Sequence, residues 1–132
     1  LFGDELHHKI FMLKASDKVK YHAAAAFASN YVVGIFDVAL GLLKDCGFTD
    51  EDAVSLLGPL TMGNVKSVIE NGTLEALTGP VIRNDTGTVK KHMEALEGTD
   101  ALKIYKSVGE RLVKMSEKKN PDRDYSELRK IM

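Results

Sequence analysis

The chain has 132 residues, 44% hydrophobic and 28% charged, a balance that suits one globular domain of ~100–150 residues and argues against disorder. Eighteen basic against nineteen acidic residues leave a net charge of −1, which gives no electrostatic footprint for nucleic acid and no polybasic tether for a membrane. The single cysteine, Cys46, excludes an intrachain disulfide framework and a multi-cysteine zinc site, and makes a reducing, cytoplasmic setting the default.

The opening residues, Leu1 to Glu5, lack the basic and apolar regions of a secretory signal. They also lack a starting Met, so the chain is expected to be processed or to be part of something longer. His7 and His8 are adjacent, point apart on a helix and make a poor chelate, so an exposed terminal pair is expected. Ser16-Asp17 is a helix start signal, and Gly47 after Lys44-Asp45 is a stop. The helix between them spans roughly 29 residues, or about 43 Å.

Its stretch Ala23–Leu43 is apolar enough to resemble a membrane span, but Ser29, Asn30 and Asp37 interrupt it, and a mid-span carboxylate is costly in lipid. The segment therefore reads as a buried helix, the central post of a bundle. One of its stripes is apolar (Ala24, Ala28, Tyr31, Ile35, Val38, Leu42), and a second is apolar but for one hydroxyl (Ala25, Ser29, Val32, Phe36, Ala39, Leu43). A third is small and polar (Ala23, Asn30, Gly34, Asp37, Gly41) and suits close approach of another helix.

Thr49 is a plausible N-cap with three acids in the first turn behind it, and Ala53, Val54, Leu56 and Leu57 follow at helical spacing. Gly58-Pro59 is expected to break or kink that helix, whose pattern resumes to Asn71-Gly72. Thr73–Leu77 reads as one short turn and Thr78–Asp85 as a loop. Further helices are expected from about Asp85 or Thr86 to Leu96, and after Thr99 or Asp100, where Leu102, Ile104, Tyr105, Val108, Leu112 and Val113 recur at helical spacing until Lys118-Lys119-Asn120-Pro121 ends the helix, with a last turn or two near Tyr125–Met132. No period-2 run occurs, so the fold class is all-α: a helical bundle around one long central helix.

Dinucleotide-binding, phosphate-loop, nucleophile-elbow and zinc-protease signatures are absent, and no residue stands out as a cofactor-binding or metal ligand. His92, beside Lys90 and Lys91, fits a solvated face. The more informative group is His22, with Ser29 seven residues on and Asn30 about 80° further round the helix. A histidine, a hydroxyl and an amide on one helix wall could hydrogen-bond a polar ligand. They could equally satisfy one another or nearby backbone. Asp37 either pairs with a cation such as Lys66 or Arg83, or faces water or a subunit boundary.

The stretch Tyr21–Tyr31 (YHAAAAFASNY) resembles the C-terminal helical domain of a family of Rossmann-like oxidoreductases long catalogued as a domain of unknown function. So do Pro59-Leu60 with Asn64-Val65, and the block Ala76–Asp85 (ALTGPVIRND) with Thr88-Val89 and His92 behind it. The order and spacing of the three cover roughly residues 18–96.

The resemblance implies a domain similar to the C-terminal domains of pyrroline-5-carboxylate reductase and 6-phosphogluconate dehydrogenase. Residues 1–132 would then form a single helical dimerisation and substrate-cleft domain. Its partners would be a second copy and an N-terminal Rossmann domain that binds NAD(P), with neither nucleic acid nor membrane. The function implied is hydride transfer in an NAD(P)-dependent oxidoreductase, with no cofactor expected in this chain alone. Thr78-Gly79-Pro80 stands where the reductases place a substrate turn, although the consecutive glycines and threonines of that turn are missing. In this frame His22 is the candidate proton donor, its ordinary pKa lying near neutrality, and Ser29, Asn30, Thr78 and Arg83 are candidate substrate ligands. A non-catalytic helical interaction or regulatory module is the alternative, with His22, Ser29 and Asn30 buried and mutually satisfied.

Overall fold

The computed structural model of the chain describes residues 10–132, all of whose regular elements are helices. The His7–His8 pair lies outside the described residues. The chain divides into two units, one ending at Gly47 and one spanning Phe48–Met132.

In the first unit a 3-10 turn, Ala15–Asp17, leads into α1 (Lys18–Ala28), and α2 (Asn30–Asp45) continues it after a one-residue interruption at Ser29. Together they form the long helix that the sequence predicts. Glycine ends it: Gly47 takes φ +91° and donates its N–H to the Lys44 carbonyl at 2.9 Å. A side chain would be strained in that conformation, which is why the stop falls there.

The expected burial of this helix is not found: no residue of α1 or α2 is buried. Phe27 is 67% exposed and Val33 70%. The physical reason is that, among the described residues, this unit holds no second long helix to lie alongside the first. By length and composition the segment Ala15–Asp45 could cross a membrane, with Asp37 and the Ser29-Asn30 pair interrupting it.

The second unit begins with α3 (Asp50–Asn71). Thr49 caps its start, accepting the Asp52 N–H at 3.1 Å, and the Thr49 hydroxyl donates in turn to the Asp52 carboxylate at 2.9 Å. The break expected at Gly58-Pro59 does not occur, and α3 runs through Pro59. The ring removes the bond to the carbonyl four residues back, that of Ser55. Ser55 and Pro59 are both exposed, so water can take the freed acceptor. Gly72, at φ +86°, turns the chain into the short α4 (Thr73–Ala76).

The core of this unit is built by α5 (Thr86–Ala95), α6 (Asp100–Lys119) and α7 (Ser126–Ile131). Val89 from α5, Val113 from α6 and Leu128 from α7 meet Val81, Tyr125 and Met132. On α6 the buried positions Ala101, Gly109, Val113 and Ser116 form one stripe at helical spacing. Ion pairs bridge the elements at the surface: Lys90–Glu127 at 2.7 Å, Lys119–Glu75 at 3.7 Å, and Arg129–Glu117.

Two carboxylates bond the starts of the helices that build this core: Asp85 is the N-cap of α5, and Asp124 stands just before α7. Asp85 accepts the Thr88 N–H at 3.0 Å and the Thr88 hydroxyl at 2.7 Å. Asp124 accepts the Ser126 N–H at 2.8 Å. These bonds, the backbone ones foremost, hold both carboxyls below the ordinary aspartate value of 3.8, with Arg83 and Lys91 adding to the effect at Asp85 and Lys130 and Arg129 at Asp124.

A depressed native pKa contributes stability that is present above the unfolded-state pKa and is lost as pH falls through the native one. The melting temperature should therefore stay level from neutral pH to about pH 5 and fall below about pH 4. Asp85→Asn keeps a capping oxygen and should shorten that acid-dependent fall; an unchanged fall in this variant would refute the assignment. A second prediction concerns Gly109, where a Cβ would collide with the Met132 side chain, its Cε lying 2.8 Å away. The Met132 atoms in the way are the far end of a flexible side chain, so Gly109→Ala should cost less than about 1 kcal/mol as they swing aside. In a Met132→Ala background the same change should reverse sign and stabilise by about 0.5–1 kcal/mol, because alanine is the better helix former. Denaturant melts of the four proteins in that cycle check both signs.

Candidate functional site

The polar group on the long helix sits at its one irregular turn. Ser29 has φ −127° and ψ −76°, and its N–H makes only a 3.3 Å bond to the Ala26 carbonyl. Its Oγ lies 2.8 Å from the Ala25 carbonyl oxygen and 2.9 Å from Asn30 Oδ1. A hydroxyl has one proton, so it can serve one of these acceptors at a time and compete with the regular backbone ladder. Phe27 and Tyr31 stack across the turn with ring centroids 4.7 Å apart, as i,i+4 aromatics do.

His22, Ser29 and Asn30 are all exposed. The last two bond to each other, while His22 makes no hydrogen bond with any described residue. Asp37 is exposed as well and forms no ion pair with a described residue.

The second polar group is the loop Thr78–Asp85, and its shape follows from backbone bonding. Gly79 takes φ +98° and Asn84 takes φ +59°. The Asn84 N–H donates to the Val81 carbonyl at 3.0 Å, and the Asp85 N–H to the Pro80 carbonyl at 2.8 Å. Val81 points into the core, where it is 5% exposed. The chain then leaves the loop through the Asp85 cap into α5. Val81, Asn84 and Asp85 are thus spent on the fold, whereas Thr78 and Arg83 are exposed side chains.

Sequence reasoning did not single out what holds this loop. The Tyr125 hydroxyl donates to the Ile82 carbonyl at 2.7 Å, and Arg123 Nη1 donates to the same oxygen at 3.0 Å. Asn120 Nδ2 donates to the Tyr125 hydroxyl at 3.1 Å, and Asn84 Nδ2 donates to the Asp124 carbonyl at 2.9 Å. The contacts span about forty residues of sequence, so no local pattern announces them. The one available signal was a tyrosine in a short polar tail after a helix-ending Asn-Pro pair.

His92 is exposed, as a solvated face requires, but its Nδ1 also lies 3.0 Å from Tyr105 Oη, with the rings edge to face. Burial raises the Tyr105 phenol above its ordinary pKa.

Neither group forms a metal centre: no set of three His, Cys, Asp or Glu occurs among the described residues. A surface depression of about 330 Å³ lies outside the tail, lined by Glu117, Arg123, Asp124, Ser126 and Arg129 among others. Its charges are used internally. Arg129 pairs with Glu117, Arg123 bonds Ile82, and Asp124 bonds Ser126.

No curated protein and no solved structure matches the chain. A family model described as a domain of unknown function (DUF2520) matches residues 2–112, which include both polar groups. With most of its length inside that match, the chain belongs to the DUF2520 family.

Proposed function

We propose that this chain is the dimerising, substrate-cleft domain of an NAD(P)-dependent oxidoreductase, with a bundle like that of the 6-phosphogluconate dehydrogenase C-terminal domain. In this reading a Rossmann domain binds the dinucleotide, and this chain supplies substrate contacts and a proton, in a cytoplasmic setting. His22 is the proton donor or a substrate ligand. Ser29 and Asn30, and separately Thr78 and Arg83, are the hydrogen-bonding and anion-pairing groups.

The observation that carries the reading is the state of the long helix. Its large apolar side chains, Tyr21, Phe27, Tyr31, Val33 and Ile35 among them, are exposed, and its one irregular turn presents Ser29 and Asn30. An uncovered helix of this kind fits a second copy of the chain. A His22 that makes no hydrogen bond with any described residue suits a donor to substrate. A non-catalytic module would hold the same three residues buried and mutually satisfied.

The assembly is tested by light scattering or sedimentation, which should show a dimer at tens of micromolar, on the scale of obligate interfaces. Ile35→Asp should drive it toward monomer and lower its melting temperature. A monomeric parent chain at that concentration would refute the dimer. The site is tested in the complete oxidoreductase. His22→Ala, Ser29→Ala and Asn30→Ala should each lower turnover, by about 10²–10⁴-fold for His22 if it transfers a proton, with little change in melting. Large melting shifts with full activity in the folded fraction would refute their catalytic assignment.

A further inference from the structure

We infer that the segment Asn120–Tyr125 is a strap that sets the conformation of the Thr78–Asp85 loop, with Tyr125 and Arg123 as positioning residues. Two donors from the segment converge on one oxygen, the Ile82 carbonyl, and use both of its lone pairs. The loop returns a bond of its own, from Asn84 Nδ2 to the Asp124 carbonyl. Asn120, bonded to the Tyr125 hydroxyl, fixes the rotor that makes the shorter of the two contacts.

The loop needs outside support for a reason visible in its backbone. Asn84 is the one non-glycine residue with positive φ among the described residues, and its Oδ1 is buried without a hydrogen-bond partner. Both features are unfavourable, and such conformations persist where surrounding structure over-determines them. The strap supplies that determination. Val81 enters the core just before the Ile82 carbonyl, and exposed Arg83 follows it, so the peptide that the strap holds also sets where Arg83 projects.

The strap lies beyond residue 112, where the family match ends, while the loop lies inside the match. A segment outside the matched region thus controls one within it. The consequence for substrate rests on the reading of Thr78 and Arg83 given above; the strap itself does not.

The test is amide hydrogen exchange, residue by residue, on the full 132-residue chain. The reporters are the Asn84 and Asp85 amides, which close the loop onto Val81 and Pro80. Tyr125→Phe keeps the buried ring and removes only the hydroxyl. Arg123→Ala removes the second donor from an exposed site, and so keeps the test readable should the tyrosine variant fail to fold.

Each should speed exchange at the two reporters about fivefold, and the double variant more than the product, since Ile82 then loses both donors. Arg123→Lys should restore part of the protection. Mid-helix amides of α6 should not change. Reporter exchange that stays fixed in the double variant, or that rises no more than in α6, overturns the strap. Faster exchange at the reporters with unchanged KM and kcat in the complete oxidoreductase supports the strap and counts against the loop as a substrate wall.

Discussion

Tyr125 is 1% exposed, and a phenol cannot be buried without a partner for its hydroxyl. That requirement organises the second unit. The ring completes the apolar contacts with Val81, Val89 and Val113 that α5 and α6 begin. The hydroxyl must meanwhile find an acceptor at the rim, and the Ile82 carbonyl is placed for it. An unpaired buried hydroxyl would cost about 1–3 kcal/mol, a large share of what a domain this small has in hand. Placement of Tyr125 therefore fixes three things together: the end of α6 through Asn120, the start of α7, and the loop ahead of α5.

The first unit meets the opposite constraint. Its helix has the length and apolar composition of a bundle core, yet α1 and α2 contain no buried residue. Isolated helices gain little from their own backbone bonds, and most helical stability in proteins comes from packing an apolar face. Gly34 and Gly41 sharpen the point. Each sits inside α2 with no described residue within 4 Å of where a Cβ would be, so no described neighbour demands a glycine there. Mid-helix glycine costs roughly 0.5–1 kcal/mol relative to alanine, and close approach by another helix is the usual compensation.

Periodicity made most of the elements legible. The long helix, the Thr49 cap, the turn at Gly72 and the Asp85 start follow from local residue patterns, and the structure has them where those patterns lie; α6 forms as expected, but its buried stripe (Ala101, Gly109, Val113, Ser116) shares only Val113 with the apolar pattern. Of the break or kink expected at Gly58-Pro59 the break is absent, because proline's cost depends on whether the freed carbonyl can reach water, and exposure is not written in the local sequence. Burial of the long helix was misjudged for a related reason: an apolar pattern says that a face wants cover, not that the same chain provides it. The Tyr125–Ile82 contact, a single long-range bond, has no periodic signature to announce its partner.

The block Ala76–Asp85 shows why a motif can identify a fold more securely than an activity. Gly79 is required by its positive φ, Val81 by the core, Asn84 by its left-handed turn and Asp85 by the cap on α5. Thr88 behind the block answers Asp85 with both its N–H and its hydroxyl. Any chain that makes this turn ahead of this helix needs residues of these types at these spacings, whatever it binds. Most of the block's pattern is thus accounted for by backbone geometry and packing. What geometry leaves unassigned are two exposed side chains, the Thr78 hydroxyl and the Arg83 guanidinium. A hydroxyl and a bidentate cation can bind an anionic or carbonyl-bearing substrate, but they specify no particular one. Information about chemistry in this segment therefore resides in those two positions, and in whatever faces them from outside the chain.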